Sequence, residues 1–148
     1  MALAVGTNAP DFTTVDDQGN TVSLSDFKGK VVVLYFYPKD DTPGCTKEAQ
    51  SFRDNYQEYQ DKDLVVLGVS MDDQASHKMF KEKYGLPFQL LVDQDGTITK
   101  AYDLYGEYNG VGYAQRVTYI IDPDGKITYV DEKVKTDSHA QDIIGQIG

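Results

Sequence analysis

The sequence predicts an α/β fold with a central mixed β-sheet that is flanked by helices and preceded by an N-terminal β-hairpin. Two continuous apolar runs, Val31–Tyr37 and Leu64–Ser70, have the length and composition of strands that are buried on both faces. A helical pattern follows each run, which is typical of parallel strands joined by crossover helices. Later, the turn PDG separates the alternating runs RVTYIID and KITYV, and this pattern predicts an antiparallel hairpin.

The first part of the chain contains the N-terminal hairpin and the first central strand. Phe12–Val15 and Thr21–Ser23 flank the turn-rich segment DDQGN, as hairpin strands do. The segment SDFKGK is similar to a short helical turn that Gly29 closes. Val31–Tyr37 follows, and its β-branched and aromatic residues favour a strand at the centre of the sheet.

A helix is predicted directly after this strand. Thr42 can act as its N-cap, and Pro43 suits the first helical position. Four apolar or aromatic residues recur at spacings that share one helical face. They are Ala49, Phe52, Tyr56 and Tyr59.

The second half of the chain continues the alternation of strand and helix. After Leu64–Ser70, Asp72 or Asp73 can cap a helix that ends at Gly85. PFQLLVD predicts a third strand, and DGTITKAYDLYG predicts a turn and a short helix. After the hairpin around PDG, the residues Asp137–Ile147 predict a closing helix.

Length, charge and composition limit the possible functions. The 148 residues suit a single domain, 1–148. The net charge of -10 disfavours nucleic acid and anionic membrane surfaces as partners, because both require clustered Lys and Arg. No apolar run approaches the roughly 20 residues that span a bilayer, and the N-terminus lacks the features of a secretory signal. We therefore expect a cytoplasmic protein, while a transit peptide that had been removed would leave no trace here.

Cys45 is the only cysteine of the chain and lies in the stretch YPKDDTPGCTKEAQ. With Thr42 as N-cap, it is the third residue of the helix, where backbone N–H groups are unpaired and the helix dipole is positive. Right-handed crossovers place this turn at the edge where parallel strands end. Such a position stabilises a thiolate, which makes Cys45 a candidate nucleophile. The alternative at this point is a small buried core residue, since free cysteine is among the most buried residue types.

The residues around Cys45 resemble one known family. Pro38, Thr42 and Cys45 form the pattern P-x-x-x-T-x-x-C, and FYPKDDTPGCTKEA is similar to peroxiredoxins of the bacterioferritin-comigratory or peroxiredoxin Q subfamily. Further matches follow in order along nearly the whole chain: GTNAPDF, LSDFKGK, VVLYFYPKD, YGLPF and RVTYIIDPDGKI. The resemblance implies a thioredoxin-like fold and a peroxidase that reduces hydrogen peroxide and organic hydroperoxides. We expect neither a cofactor nor a metal, since the chain has one cysteine and two histidines as candidate ligands.

The resemblance also implies a role for each matching position. Cys45 corresponds to the peroxidatic cysteine, which attacks the terminal oxygen of a hydroperoxide and becomes a sulfenic acid. Thr42 matches a residue whose hydroxyl contacts thiolate and peroxide, and Pro38 matches a residue that covers the pocket. Arg116 matches an arginine that stabilises the thiolate and the charge on the separating oxygens. The backbone N–H groups of Gly44 and Cys45 would complete an anion-binding nest.

Two more residues are candidates for supporting roles. Glu48, in the segment TKEA, could orient Arg116, and an ordinary exposed helix glutamate is the alternative. Tyr37 could line the pocket or pack in the core. Taken without the family motif, Arg116 itself would suggest an exposed strand residue in a surface ion pair.

The sequence departs from the subfamily at Gln50. Most members are similar in carrying a resolving cysteine at this position, in the pattern TKEAC. With Gln50, the sulfenic acid of Cys45 must be reduced by an external thiol, for which thioredoxin, or glutathione with glutaredoxin, are the candidates. A persistent sulfenic acid is exposed to further oxidation. The sequence thus predicts a one-cysteine peroxidase that is more sensitive to excess peroxide than its two-cysteine relatives.

Other functions fit the residues less well. A dithiol oxidoreductase needs C-x-x-C, and Thr42 occupies the partner position. A cysteine hydrolase needs a histidine base, but His77 and His139 lie in predicted helices and are expected at the surface. A peroxide sensor or a holdase-like protein with little turnover is the alternative on the same fold. The resemblance favours a monomer or a weak homodimer, and the net negative charge disfavours nucleic acid and membranes as partners.

Overall fold

The structure is a computed structural model that describes residues 2–147. Its strands are β1 (Thr13–Val15), β2 (Thr21–Ser23), β3 (Val31–Phe36), β4 (Leu64–Ser70), β5 (Gln89–Val92), β6 (Tyr105–Tyr108), β7 (Val111–Ala114), β8 (Val117–Ile121) and β9 (Ile127–Asp131). Its α-helices are α1 (Pro43–Asp54), α2 (Tyr56–Asp61), α3 (Gln74–Tyr84), α4 (Thr97–Ala101) and α5 (His139–Ile147). A short 3₁₀ helix occupies Leu24–Phe27, where the sequence predicts a helical turn.

A five-stranded mixed sheet in the order β5-β4-β3-β8-β9 forms the centre of the fold. β3 and β4 are parallel, as are β4 and β5, whereas β8 pairs antiparallel with β3 and with β9. β1 and β2 form a separate antiparallel hairpin at the N-terminal end. The predicted α/β class, the mixed sheet and the N-terminal hairpin are therefore confirmed.

The central strand β3 contributes to a separate hydrophobic core on each face of the sheet. Val32, Leu34 and Phe36 belong to one buried cluster, together with residues of β2, α4 and β8. Val33 and Tyr35 belong to the other cluster, together with Cys45 and apolar residues of α1, α3 and α5. Because successive side chains of a strand point to opposite faces, an uninterrupted apolar run is the expected sequence for this position.

Two features of the fold differ from the sequence-based prediction. The helix predicted across Tyr56 is interrupted at Asn55, whose Nδ2 donates to the Ser51 carbonyl oxygen at 2.8 Å and so competes with the helical backbone. The hairpin of β6 and β7 was not predicted. Its loop is Asn109–Gly110, and both residues have a positive φ. An Asn-Gly pair between two strands is the strongest short-range hairpin signal in a sequence.

The first turn of α1 lies at the edge of the sheet where β3 and β4 end. The segment 37–42 connects β3 to α1, and Tyr37 N still donates to the Val69 carbonyl oxygen of β4 at 3.0 Å. This arrangement places Cys45 at the predicted edge. Among the described residues, no helix combines the length and the apolar character that crossing a bilayer requires.

Gly68 of β4 provides a test of the packing between the sheet and its aromatic core. A Cβ at this position would lie 2.9 Å from Tyr35 Cζ and 3.0 Å from Leu90 Cδ2, and both side chains are fully buried. We predict that Gly68→Ala lowers the free energy of unfolding by about 1–3 kcal/mol, because neither neighbour can move aside. Urea denaturation measures this quantity.

The matched control is Gly145→Ala, because Gly145 lies in α5 with open space around the position of an added Cβ. This change is expected to leave the stability unchanged or to raise it, since alanine favours helix over glycine. A Gly68→Ala variant as stable as the wild type would contradict the described packing.

Candidate active site

Cys45 occupies the third position of α1, as the sequence predicts. Thr42 is the N-cap with extended backbone angles, and Pro43 is the first helical residue. The first hydrogen bond of the helix runs from Thr46 N to the Thr42 carbonyl oxygen at 2.8 Å. The N–H groups of Gly44 and Cys45 therefore have no acceptor within the helix, and the positive end of the helix dipole lies at the thiol.

Arg116 lies directly before β8 and reaches Cys45 across the edge of the sheet. Its Nη2 donates to Cys45 Sγ at 3.2 Å, and its Nη1 donates to Glu48 Oε1 at 2.8 Å. The antiparallel pairing of β8 with β3 places Val117 opposite Phe36, which brings Arg116 beside the end of β3. Arg116 is therefore not an exposed strand residue in a surface ion pair.

Gly44 allows the guanidinium to come this close to the helix. A Cβ on Gly44 would lie 3.1 Å from Arg116 Nη2, so a side chain there would push the guanidinium away. Burial by itself would lower the pKa of Arg116, but the neighbouring Glu48 and Cys45 outweigh burial and raise it. The guanidinium thus keeps its positive charge in the site.

Glu48 lies three residues after Cys45, on the same side of α1. Its side chain is fully buried, which excludes the exposed helix glutamate considered as the alternative. Oε1 accepts the hydrogen bond from Arg116, whereas Oε2 has no hydrogen-bond partner among the described residues. Burial raises the pKa of Glu48 to about 7, against the lowering influence of Arg116. Glu48 therefore holds Arg116 and also titrates near neutral pH.

His139 is buried, and its predicted position at the surface is wrong. Its Nε2 lies 2.7 Å from Thr118 Oγ1 and 3.5 Å from Glu48 Oε2. Burial lowers the pKa of His139 to about 4, so the ring is neutral at pH 7. His139, Ala140 and Ile143 are the buried residues of α5, and this helical spacing is a signal in the sequence that could have identified His139 as an inward-facing residue.

The start of α5 is attached to α1 and to α2 by one hydrogen bond each. Ala140 N donates to Ser51 Oγ at 3.0 Å, and the Tyr59 hydroxyl donates to the Ala140 carbonyl oxygen at 2.7 Å. The His139 ring also contacts the edge of Phe52, with ring centroids 5.4 Å apart. The C-terminal helix thus places His139 behind Glu48.

His77 is also buried, contrary to the prediction, and it anchors the loop that precedes Cys45. Its Nδ1 lies 2.7 Å from Asp40 Oδ2, and its Nε2 lies 2.8 Å from the Leu91 carbonyl oxygen. Burial would lower the pKa of His77, but the hydrogen bond and the charge of Asp40 outweigh burial and raise it. The pair of Asp40 and His77 therefore links the loop to α3.

Asp40 is the centre of a wider network of hydrogen bonds. It accepts from the Tyr37 hydroxyl at 2.6 Å and from Ser76 Oγ at 2.8 Å, while Asp40 N donates to Asp72 Oδ2 at 2.9 Å. Tyr37 therefore packs in the core, and its hydroxyl stabilises the loop through Asp40. The ligand atoms of Asp40, Asp72 and His77 are close enough to hold a metal ion, but each is engaged in these hydrogen bonds.

Thr42 and Pro38 belong to the same loop, and both are half-buried. The Thr42 hydroxyl donates to the Lys39 carbonyl oxygen at 2.9 Å. Its contact with the thiolate and with peroxide stays a prediction, as does the covering role of Pro38. The structure thus brings Cys45, Gly44, Glu48 and Arg116 together and places Thr42 and Pro38 in the preceding loop.

The two buried histidines provide a pH test, because their pKa values are shifted in opposite directions. The folded pKa of His139 is about 4 and its unfolded pKa about 6.5, so its contribution to stability is present above pH 6.5 and lost as the pH falls toward 4. We predict that the stability difference between wild type and His139→Gln falls by about 2 kcal/mol from pH 7 to pH 5. Urea denaturation at the two pH values measures this change.

His77→Gln is the matched control with the opposite sign. The pKa of His77 is raised, so its contribution is present below pH 6.5 and lost as the pH rises through its folded pKa. The stability difference between wild type and this variant is expected to rise from pH 7 to pH 5. The same trend in both variants would contradict the opposite directions of the two pKa shifts.

Known proteins are similar to this chain in sequence and in structure. The profile of the AhpC/TSA family matches residues 5–130. Peroxiredoxin Bcp of Bacillus subtilis is 44% identical over 151 residues, covering 97% of this chain and 94% of that protein. A PrxQ mutant from Xylella fastidiosa has a TM-score of 0.92 at 30% identity, and the match covers 99% of this chain and 96% of the mutant's chain. The bacterioferritin comigratory protein of Xanthomonas campestris has a TM-score of 0.86 at 33% identity, and the match covers 92% of this chain and 89% of that chain. The chain belongs to the AhpC/TSA family and is a thiol-dependent peroxidase of the Bcp and peroxiredoxin Q type.

Proposed function

We propose that Cys45 is the peroxidatic nucleophile and that the enzyme reduces hydrogen peroxide and organic hydroperoxides to water or alcohols. The observation that carries this assignment is the 3.2 Å contact between Arg116 Nη2 and Cys45 Sγ at the N-terminus of α1. A fixed guanidinium and the helix dipole together offer positive charge to a thiolate. The Xanthomonas campestris relative is described by its alkyl peroxide reduction activity, which supports organic hydroperoxides as substrates here.

The thiolate of Cys45 attacks the terminal oxygen of the hydroperoxide. A sulfur–oxygen bond forms as the oxygen–oxygen bond breaks, and negative charge develops on the departing oxygen. Arg116 and the free N–H groups of Gly44 and Cys45 are the donors that stabilise this charge, because they are already oriented and need no rearrangement. Thr42 and Pro38, in the preceding loop, position the peroxide and limit access of water.

Glu48 positions Arg116 for this step. One guanidinium nitrogen donates to Glu48 and the other to Cys45, so the plane of the guanidinium is held by two partners. A lysine could not make both contacts in the same geometry, since its charge lies on a single nitrogen.

An external thiol completes the cycle, because the chain has no second cysteine to attack the sulfenic acid. Thioredoxin, or glutathione with glutaredoxin, supplies this thiol in the mechanism that we propose. The cytoplasmic location, the single domain and the monomeric or weakly dimeric state stay predictions from the sequence. The alternative of a sensor or holdase is not favoured, because the relatives at this level of identity are named as peroxiredoxins.

The first test is the peroxidase half-reaction. Reduced protein is mixed with one equivalent of hydrogen peroxide, and peroxide consumption is followed by competition with a haem peroxidase, because the chain has no tryptophan for a fluorescence signal. We expect consumption within seconds and none in Cys45→Ser. Arg116→Ala should react at least about 100-fold more slowly, since it removes the main stabiliser of the departing oxygen.

Arg53→Ala is the matched control for the loss of an arginine. Arg53 lies on the same helix and donates to the Tyr84 carbonyl oxygen, away from Cys45. Its replacement should leave the rate unchanged. A wild-type rate no faster than that of a free thiol, or an Arg116→Ala variant as fast as the wild type, would overturn the proposed function.

The second test concerns Gln50, which is half-buried on α1. We predict that the wild type loses activity in excess peroxide faster than Gln50→Cys, because a resolving cysteine shortens the lifetime of the sulfenic acid. Residual activity and the sulfinic content of Cys45, measured by mass spectrometry, report the difference. Gln50→Ser controls for the change of side chain, and equal losses in the wild type and Gln50→Cys would refute the prediction.

A further inference from the structure

The guanidinium of Arg116 lies between two buried groups that can each carry a negative charge. Its two terminal nitrogens donate to Cys45 Sγ at 3.2 Å and to Glu48 Oε1 at 2.8 Å. Cys45 is 1% exposed and Glu48 is 0% exposed. One cation balances one buried anion, and a second anion in the same place is left without compensation. The ionisation of either group therefore opposes the ionisation of the other.

The other groups that face Glu48 do not supply a second positive charge. His139 of α5 is neutral at pH 7, because burial lowers its pKa to about 4. Asp131 of β9 carries a like charge, and it raises the pKa of Glu48 further. Tyr35 of β3 is a fully buried phenol whose pKa burial raises well above its ordinary value. Among the described residues that face Glu48, Arg116 is thus the cation that Glu48 and Cys45 have in common.

The second carboxyl oxygen of Glu48 also favours the protonated form. Oε2 is buried and has no hydrogen-bond partner among the described residues, and the nearest histidine nitrogen is 3.5 Å away. An unpaired oxygen costs more free energy in a carboxylate than in a neutral acid, because the charged form loses more hydration on burial. The unpaired Oε2 and the burial of the carboxyl group therefore both favour the protonated form of Glu48.

We propose that Cys45 and Glu48 share one negative charge through Arg116, so that Glu48 holds a proton while Cys45 is a thiolate and releases it when Cys45 becomes a sulfenic acid. Glu48 then has a second role beside the positioning of Arg116. This inference rests on the proposed function of Cys45 as the nucleophile.

The protons of the peroxide reaction balance when Glu48 releases its proton in the same step. The electron pair of the thiolate forms the sulfur–oxygen bond, and the electrons of the broken oxygen–oxygen bond leave with the departing oxygen. That oxygen gains one proton to become water or an alcohol, and Glu48 loses one proton. The cluster of Arg116, Cys45 and Glu48 has a net charge of zero before and after the step. The buried site thus never contains an uncompensated charge, whether the proton passes directly or through water.

Infrared difference spectroscopy tests this proton release. Spectra of the protein at pH 7 are compared before and after the addition of one equivalent of hydrogen peroxide. A carbonyl band of a protonated carboxyl group is expected in the reduced state and should disappear on oxidation. The band should be absent in Glu48→Gln and retained in Glu58→Gln, since Glu58 is exposed on α2. A band that is absent from the wild type, or unchanged by oxidation, would overturn the proposal.

A carbon-13 NMR titration of the Glu48 carboxyl group gives a readout that needs no peroxide. The titration midpoint of Glu48 is expected about one pH unit lower in Cys45→Ser than in the reduced wild type, because the serine cannot become an anion. Equal midpoints in an enzyme that consumes peroxide would overturn charge sharing and leave the function intact. Shifted midpoints in a protein that does not consume peroxide would support charge sharing and overturn the function.

Discussion

The contact between Arg116 and Cys45 depends on one feature of the sheet, namely the antiparallel pairing of β8 with β3. This pairing brings the start of β8 to the end of β3, where the connecting segment leads into α1. Without a side chain on Gly44, the guanidinium can approach the first turn of the helix. The helix dipole, the N–H groups that have no acceptor within α1, and the guanidinium then act on a single sulfur atom, which supports the nucleophilic role that we propose for Cys45.

Two buried histidines hold the two sides of this turn, and their pKa values are shifted in opposite directions. On the side of the loop, His77 pairs with Asp40, and the charge of the aspartate raises the pKa of the ring. On the side of the helix, His139 lies behind Glu48, its Nδ1 has no hydrogen-bond partner among the residues that the structure describes, and burial lowers its pKa. Residues from α3 and α5, distant in the sequence, therefore stabilise the geometry of the loop and of α1 around Cys45.

The charge balance of the site depends on Arg116, because this one cation contacts both Cys45 and Glu48. The chain carries a net charge of -10, and in the buried cluster Arg116 serves both Cys45 and Glu48. A second carboxylate beside a thiolate would be costly in such surroundings, and a carboxyl group that titrates near neutral pH avoids this cost. In this view, the glutamate that orients the arginine also keeps the charge of the site constant during the reaction.

The sequence by itself determined the fold class, the order of the central strands and helices along the chain, and the position of Cys45 in the first turn of α1. These features depend on local signals, such as the apolar run of β3 and the capping by Thr42 and Pro43. The burial of His77 and His139 and the network behind Glu48 were decided only by the tertiary structure. The spacing of apolar residues in α5 indicates only that His139 faces inward. A polar residue is buried where partners from distant segments offer hydrogen bonds, and no local pattern reveals those partners.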